Sequence, residues 1–143
     1  MTAQKIIRQI LILLALAAIP AAVAGIFHPK RPAWQAEALA PGEVLLGTAQ
    51  DWGDRVIWLD ARSGTDFHKA HIPGALLLNE DDWDGLLPQF LNVWRKDRII
   101  VVYCNSLECH ASHEVAKRLR EEAKLPQVYV LKGGWDTWLN SKK

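Results

Sequence analysis

The chain is poor in cysteine, nearly neutral, and free of internal repeats and low-complexity tracts. Two cysteines, Cys104 and Cys109, occur in 143 residues. They are too few for a disulfide framework, and their closeness within one loop points to thiol chemistry or redox instead. The formal net charge is +1, from 17 Lys and Arg against 16 Asp and Glu. Setting aside Lys5, Arg8, Lys30 and Arg31 leaves 13 cationic residues against all 16 acidic ones, so the remainder carries about −3. That balance argues against nucleic acid as a partner.

Apolar residues make up 50% of the sequence, which fits one globular domain with an appendage. Residues 1–9 form a short basic tail with Lys5 and Arg8, and residues 10–27 contain no charge. At about 1.5 Å per residue that stretch reaches about 27 Å as a helix, just enough to cross a hydrocarbon core. Pro20 would kink it, and Ala22-Val23-Ala24 before Gly25 also resembles a signal-peptidase site. A single membrane anchor and a cleaved signal both remain open; a cleaved signal, or an anchor with its N-terminus inside, would export the globular domain, whereas a translocated N-terminal tail would leave it inside. That domain is therefore expected to be extracytoplasmic, periplasmic if the source is bacterial. Residues 28–33, His28-Pro29-Lys30-Arg31-Pro32-Ala33, read as a stiff linker. The domain itself is expected over 34–143.

Within that domain, strands and helices are expected to alternate. The pattern predicts a weak strand at 36–39, a helix from Pro41 or Gly42 to Gln50, and a strong strand at Val56–Asp60. A short helix at 65–70, a short strand at 75–78, and a helical region over 80–94 interrupted by Gly85 and Pro88 come next. Strand Ile99–Tyr103, a helix from near Ser112 to about Lys124, strand Val128–Leu131 and a helix at Trp135–Asn140 complete the series. Such alternation implies an α/β fold with a mostly parallel five-stranded sheet, helices on both faces, and a crevice at the carboxyl ends of the strands.

Cys104 falls at that edge. The buried run Ile99–Tyr103 ends at it, and the loop Asn105, Ser106, Leu107, Glu108, Cys109, His110, Ala111 leads to the helix that begins near Ser112. Loop amides and a helix start would favour a thiolate or a bound anion there. No Arg or Lys stands between Cys104 and Ser112, so the bidentate clamp that phosphate chemistry needs is missing.

Several motifs accompany this one: Asp60-Ala61-Arg62, Phe67, His71-Ile72-Pro73-Gly74-Ala75, Val102-Tyr103-Cys104, and Lys132-Gly133-Gly134-Trp135-Asp136-Thr137-Trp138. In this order and spacing the chain resembles a single rhodanese-like domain, from about Ala36 to Leu139. The resemblance implies a sulfurtransferase in which Cys104 takes a sulfane sulfur from a thiosulfate- or persulfide-type donor. It would form a persulfide and pass the sulfur to cyanide, a low-molecular-weight thiol or a protein acceptor, with no cofactor and no metal. In the family's common pattern a Gly, an Arg and a Ser come after the cysteine in a shorter loop, which this chain replaces with a longer one.

The residues suggest supporting roles. Asp60 and Arg62 can form a charge-assisted pair that fixes the adjoining loop. His71 is expected to bond backbone in a turn shaped by Pro73 and Gly74. Gly133 and Gly134 would allow close approach of the cysteine loop, with Trp135 and Trp138 as core or pocket wall. Cys109 is a resolving thiol in one reading and a packing residue in another. Other classes stay open: a thiol redox protein cycling Cys104 and Cys109, a zinc site from Cys104, Cys109, His110 and His113, and a non-catalytic binding module.

Overall fold

The computed structural model describes residues 4–14, 16, 38–105 and 110–143. Two compact units divide the chain, Met1–Ala38 and Leu39–Lys143. In the first, residues 4–14 and 16 are helical and exposed, including Leu11 and Leu13. Most of the apolar stretch 10–27, the linker 28–33 and the expected domain start at Trp34 lie outside the described residues. Among the described residues no helix is long and apolar enough to cross a membrane.

The second unit is an α/β domain. Its strands are β1 (Glu43–Val44), β2 (Val56–Asp60), β3 (Leu76–Leu77), β4 (Ile99–Tyr103) and β5 (Val128–Leu131). Its helices are α1 (Leu46–Asp51), α2 (Gly64–Lys69), α3 (Trp83–Val93), α4 (His110–Glu121) and α5 (Gly134–Asn140), with a 3-10 turn at Gly53–Arg55. The sheet runs β1-β5-β4-β2-β3, and every pairing is parallel rather than mostly so. β4 lies at its centre and is buried at all five positions, as a continuous β-branched run in a parallel sheet should be.

The period of two along β4 sorts the core. Ile100, Val102 and, just past the strand, Cys104 join one cluster with Val115, Ala116 and Leu119 of α4 and with Trp83 and Phe90 of α3. Ile99, Val101 and Tyr103 join the opposite cluster, against which Trp58, Phe67, Trp135 and Trp138 pack. Neighbouring residues at the end of β4 therefore serve different faces: the Cys104 side chain faces α4, and Tyr103 faces the side of α5. α4 holds its sheet face through Ser112, Val115, Ala116 and Leu119, at helical spacing.

Three element expectations are corrected. Among the described residues the first strand is at Glu43–Val44, where β5 captures the segment by backbone bonds from Val130 to Gly42 and from Lys132 to Val44; of the expected strand at 36–39, residues 38 and 39 are not in a strand and 36 and 37 lie outside the described residues. The next helix starts at Leu46 rather than at Pro41 or Gly42. Gly42 adopts φ +84°, in the left-handed region, and Glu43 N–H closes the turn on the Ala40 carbonyl at 2.9 Å, a geometry no helix start allows. The third correction concerns α3, which runs through Gly85 and Pro88 without interruption. Burial of Trp83 and Phe90, with Leu86 and Leu87 packed beside them, overrides the weak propensity of those two residues.

Candidate active site

The carboxyl edge of the sheet is built at the junction of β2 and β4. Asp60 stands opposite Tyr103 in register, so the Asp60–Arg62 turn and the cysteine loop leave the sheet side by side. Ala61 N–H donates to the Tyr103 carbonyl at 2.8 Å, and Leu78 N–H to that of Asp60 at 3.0 Å, tying three strand ends together.

Cys104 departs from the expectation of a thiol at the mouth of a crevice. Its side chain is disulfide-bonded, and the residue is only 2% exposed. Its sulfur lies 3.2 Å from the Ser112 hydroxyl, also buried. A disulfide sulfur carries no proton, so Ser112 is the donor in this contact. The backbone on the other side of Cys104 is held by the start of α5: Trp135 N–H donates to the Cys104 carbonyl at 2.7 Å and Asp136 N–H to that of Asn105 at 3.1 Å. A Cβ on Gly134, which has φ +51°, would come 2.2 Å from the Cys104 carbonyl oxygen, so only glycine allows this approach.

Below this loop lies a buried polar network. Asp60 is wholly buried, and its carboxylate accepts from Arg62 Nε at 2.9 Å and from an Arg62 terminal nitrogen at 2.6 Å. Arg62 N–H donates to the same carboxylate at 2.9 Å, and the guanidinium reaches the Ala70 carbonyl at 2.6 Å. Burial works against the Arg62 charge, but the Asp60 carboxylate outweighs it, so the guanidinium is held in its charged form. Burial likewise pushes the Tyr103 phenol well above its usual range, against the effect of the Ile72 N–H that donates to its oxygen at 3.1 Å. Tyr103 is therefore a neutral structural hydroxyl. The Asn79 amide donates to the Arg62 carbonyl at 2.9 Å, closing the network from β3.

His71 donates through Nδ1 to the Phe67 carbonyl, 2.9 Å away, and stacks on the Phe67 ring at 4.1 Å. With that proton committed to backbone, it serves the turn between α2 and β3. Asn105 and His110 are exposed, Ala111 is half-buried, and Ser106, Leu107, Glu108 and Cys109 lie outside the described residues. His113 points instead to β1, 3.8 Å from the Glu43 carboxylate, which Lys132 also approaches at 3.4 Å. The Ala40 N–H, together with Lys132 and His113, holds the Glu43 carboxyl below the usual range although burial opposes it. Among the described residues no three His, Cys, Asp or Glu side chains gather as a metal site would require.

Sequence reading missed Glu43, Asn79 and Tyr103 as partners. The weak signal for Tyr103 was a polar-tipped aromatic in a fully apolar run. Asn79 and Glu43 escape a sequence reading because their distant partners, the Arg62 carbonyl and Lys132, are set by sheet order, although each also accepts a backbone N–H three residues away, from Asp82 and Ala40.

Fold and site together define an α/β domain whose central parallel strand delivers a cysteine into a loop at the carboxyl edge. The sequence profile of the rhodanese-like domain matches residues 45–141, and the chain belongs to that family. Among solved structures it is similar to the rhodanese-like domain of a protein from Anabaena sp, at 26% identity and a TM-score of 0.55, covering 70% of this chain and 74% of that one. A protein from Bacillus halodurans shares the fold at 18% identity and a TM-score of 0.59, covering 70% and 72%. A thiosulfate sulfurtransferase from Pseudomonas aeruginosa does so at 22% identity and a TM-score of 0.57, covering 79% of this chain but only 21% of the longer protein. No curated protein matches the chain.

Proposed function

We propose that this protein is a sulfurtransferase that carries a sulfane sulfur on Cys104. The observation that supports this most is the position of Cys104 in a rhodanese-like domain: directly after the central strand, its carbonyl tied to α5 and its sulfur beside the Ser112 hydroxyl. The oxidised, buried sulfur is a resting form. Reduction by a thiol supplies two electrons and two protons and releases Cys104 as a thiol that can meet a donor. Cys109, the only other cysteine of the sequence, is the second thiol released.

The reduced Cys104 thiolate then attacks the outer sulfur of a thiosulfate-type donor. A new S–S bond forms as the donor's own S–S bond breaks, and sulfite leaves with the electron pair. Cyanide or a thiolate next takes the outer sulfur of the persulfide, and the electron pair of the broken bond returns to Cys104. Ser112, within reach of the sulfur, donates a hydrogen bond to the departing thiolate in that second step. A protein thiol is an equally suitable acceptor class.

The disulfide at Cys104 also favours a second reading, a thiol redox protein that cycles without carrying sulfur. Intact mass after reduction, removal of reductant and incubation with thiosulfate separates the two. Transfer adds one sulfur atom to Cys104, whereas redox cycling only removes two hydrogens from the dithiol; a reduced protein that never gains sulfur from thiosulfate or polysulfide sinks the first reading.

The apolar stretch 10–27 supports membrane attachment, with the domain on the extracytoplasmic side. Fractionation of cells expressing the full chain is expected to place it with membranes, exposed to protease added outside the inner membrane; protection of the domain from that protease overturns the placement.

A further inference from the structure

The Arg62 guanidinium does more than pair with Asp60. Its central carbon lies 4.5 Å from the centroid of the Trp135 ring and 5.6 Å from that of Tyr103. Those two rings are themselves near-parallel, at 23° and 6.3 Å. The cation is not free to drift, because Asp60 holds it at two nitrogens and the Ala70 carbonyl accepts at 2.6 Å. It presents a fixed planar surface, and Trp135 seats its ring against that surface.

The same residue, Trp135, donates its main-chain N–H to the Cys104 carbonyl at 2.7 Å, and Asp136 donates to Asn105. The peptide between Cys104 and Asn105 is trans. In a trans peptide the carbonyl and the next N–H point in opposite directions. With the Cys104 carbonyl drawn toward α5, the Asn105 N–H is turned away from α5. Side-chain stacking at one end of Trp135 thus sets the direction of the first amide of the cysteine loop at the other.

We infer that Arg62 is a positioning residue for Cys104, acting through the ring and then the main chain of Trp135 to orient the first amide of the sulfur-binding loop. The inference rests on the sulfur-carrier reading for its purpose, but not for its measurement. Loop amides aimed at a thiolate favour its charged form, and losing that aim makes the thiol harder to ionise and slower to react.

The test uses the full-length chain carrying Cys109→Ser, fully reduced, so that Cys104 is the single thiol, with iodoacetamide alkylation followed across pH. Arg62→Lys keeps the charge but loses the planar surface, and Trp135→Leu keeps the Asp60–Arg62 pair but loses the ring. Each is expected to raise the pH midpoint by about one unit and slow alkylation at neutral pH about tenfold. Trp135→Phe, which retains an aromatic face and the main-chain N–H, is expected to stay within about threefold of its parent. Should Arg62→Lys fail to fold, Trp135→Leu decides alone. A folded variant with the parent's midpoint overturns the inference, even if its melting temperature falls, since a purely structural role moves stability without moving the titration. Alkylation requires no sulfur transfer. A shifted midpoint in a protein that never accepts sulfur refutes the sulfur-carrier reading and leaves the positioning role standing.

Discussion

Cys104→Ser is expected to reduce sulfur transfer from thiosulfate to cyanide to the uncatalysed background, a drop of at least about three orders of magnitude. A serine hydroxyl cannot form the persulfide, and Ser112 then has no sulfur leaving group to bond. Cys109→Ser separates the two roles of thiols in this loop. It is expected to retain transfer and to lose the wild type's dependence on added reductant, because Cys104 then has no partner within the chain. The assay is thiocyanate formation by the wild type and both variants, with and without a reducing thiol. Undiminished transfer by Cys104→Ser removes Cys104 from the chemistry altogether. Transfer lost equally in both variants assigns Cys109 a direct part in catalysis.

The second large effect lies beneath the loop rather than in it. Asp60→Ala is expected to destabilise the domain by about 3–5 kcal/mol, because it leaves the buried Arg62 guanidinium without its carboxylate partner. For a domain whose total stability falls within about 5–15 kcal/mol, that is a large fraction. It should lower the melting temperature by roughly 15 °C or more. Urea unfolding followed by Trp fluorescence gives the free energy directly. A loss under about 1 kcal/mol would show that the pair behaves like an exposed surface bridge despite its burial. The distinction bears on function: Asp60 holds Arg62, Arg62 seats Trp135, and Trp135 holds the Cys104 carbonyl.

How much of the fold and site is legible in the sequence depends on whether the physics is local. Val56–Asp60, Ile99–Tyr103 and Val128–Leu131 are legible as strands, because each is a short, mainly apolar run that includes β-branched residues and is bounded by polar or turn-forming ones. The backbone role of His71 and the close approach at Gly134 also come from residue chemistry. Glu43–Val44 is not legible as a strand. Two residues have no periodicity, and they are extended because β5 offers them partners. Pro88 misleads for the converse reason, since its local preference is outweighed by packing on Trp83 and Phe90. Cys104 differs from expectation in one respect: residue types advertise a thiol, and whether that thiol is reduced or oxidised, open or buried, depends on tertiary contacts that no local pattern encodes.

By itself the sequence determined the alternation of elements, the position of Cys104 at the end of the most apolar strand, and the family to which these motifs belong. Those are properties of hydrophobic period and residue chemistry over short stretches. Tertiary structure alone decided the strand order that sets Asp60 beside Tyr103, the stacking of Arg62 on Trp135, and the burial of Cys104 in the core with Phe90 and Leu119. Each of these joins residues far apart in the chain, and their contacts exist only once the sheet has brought its strand ends together.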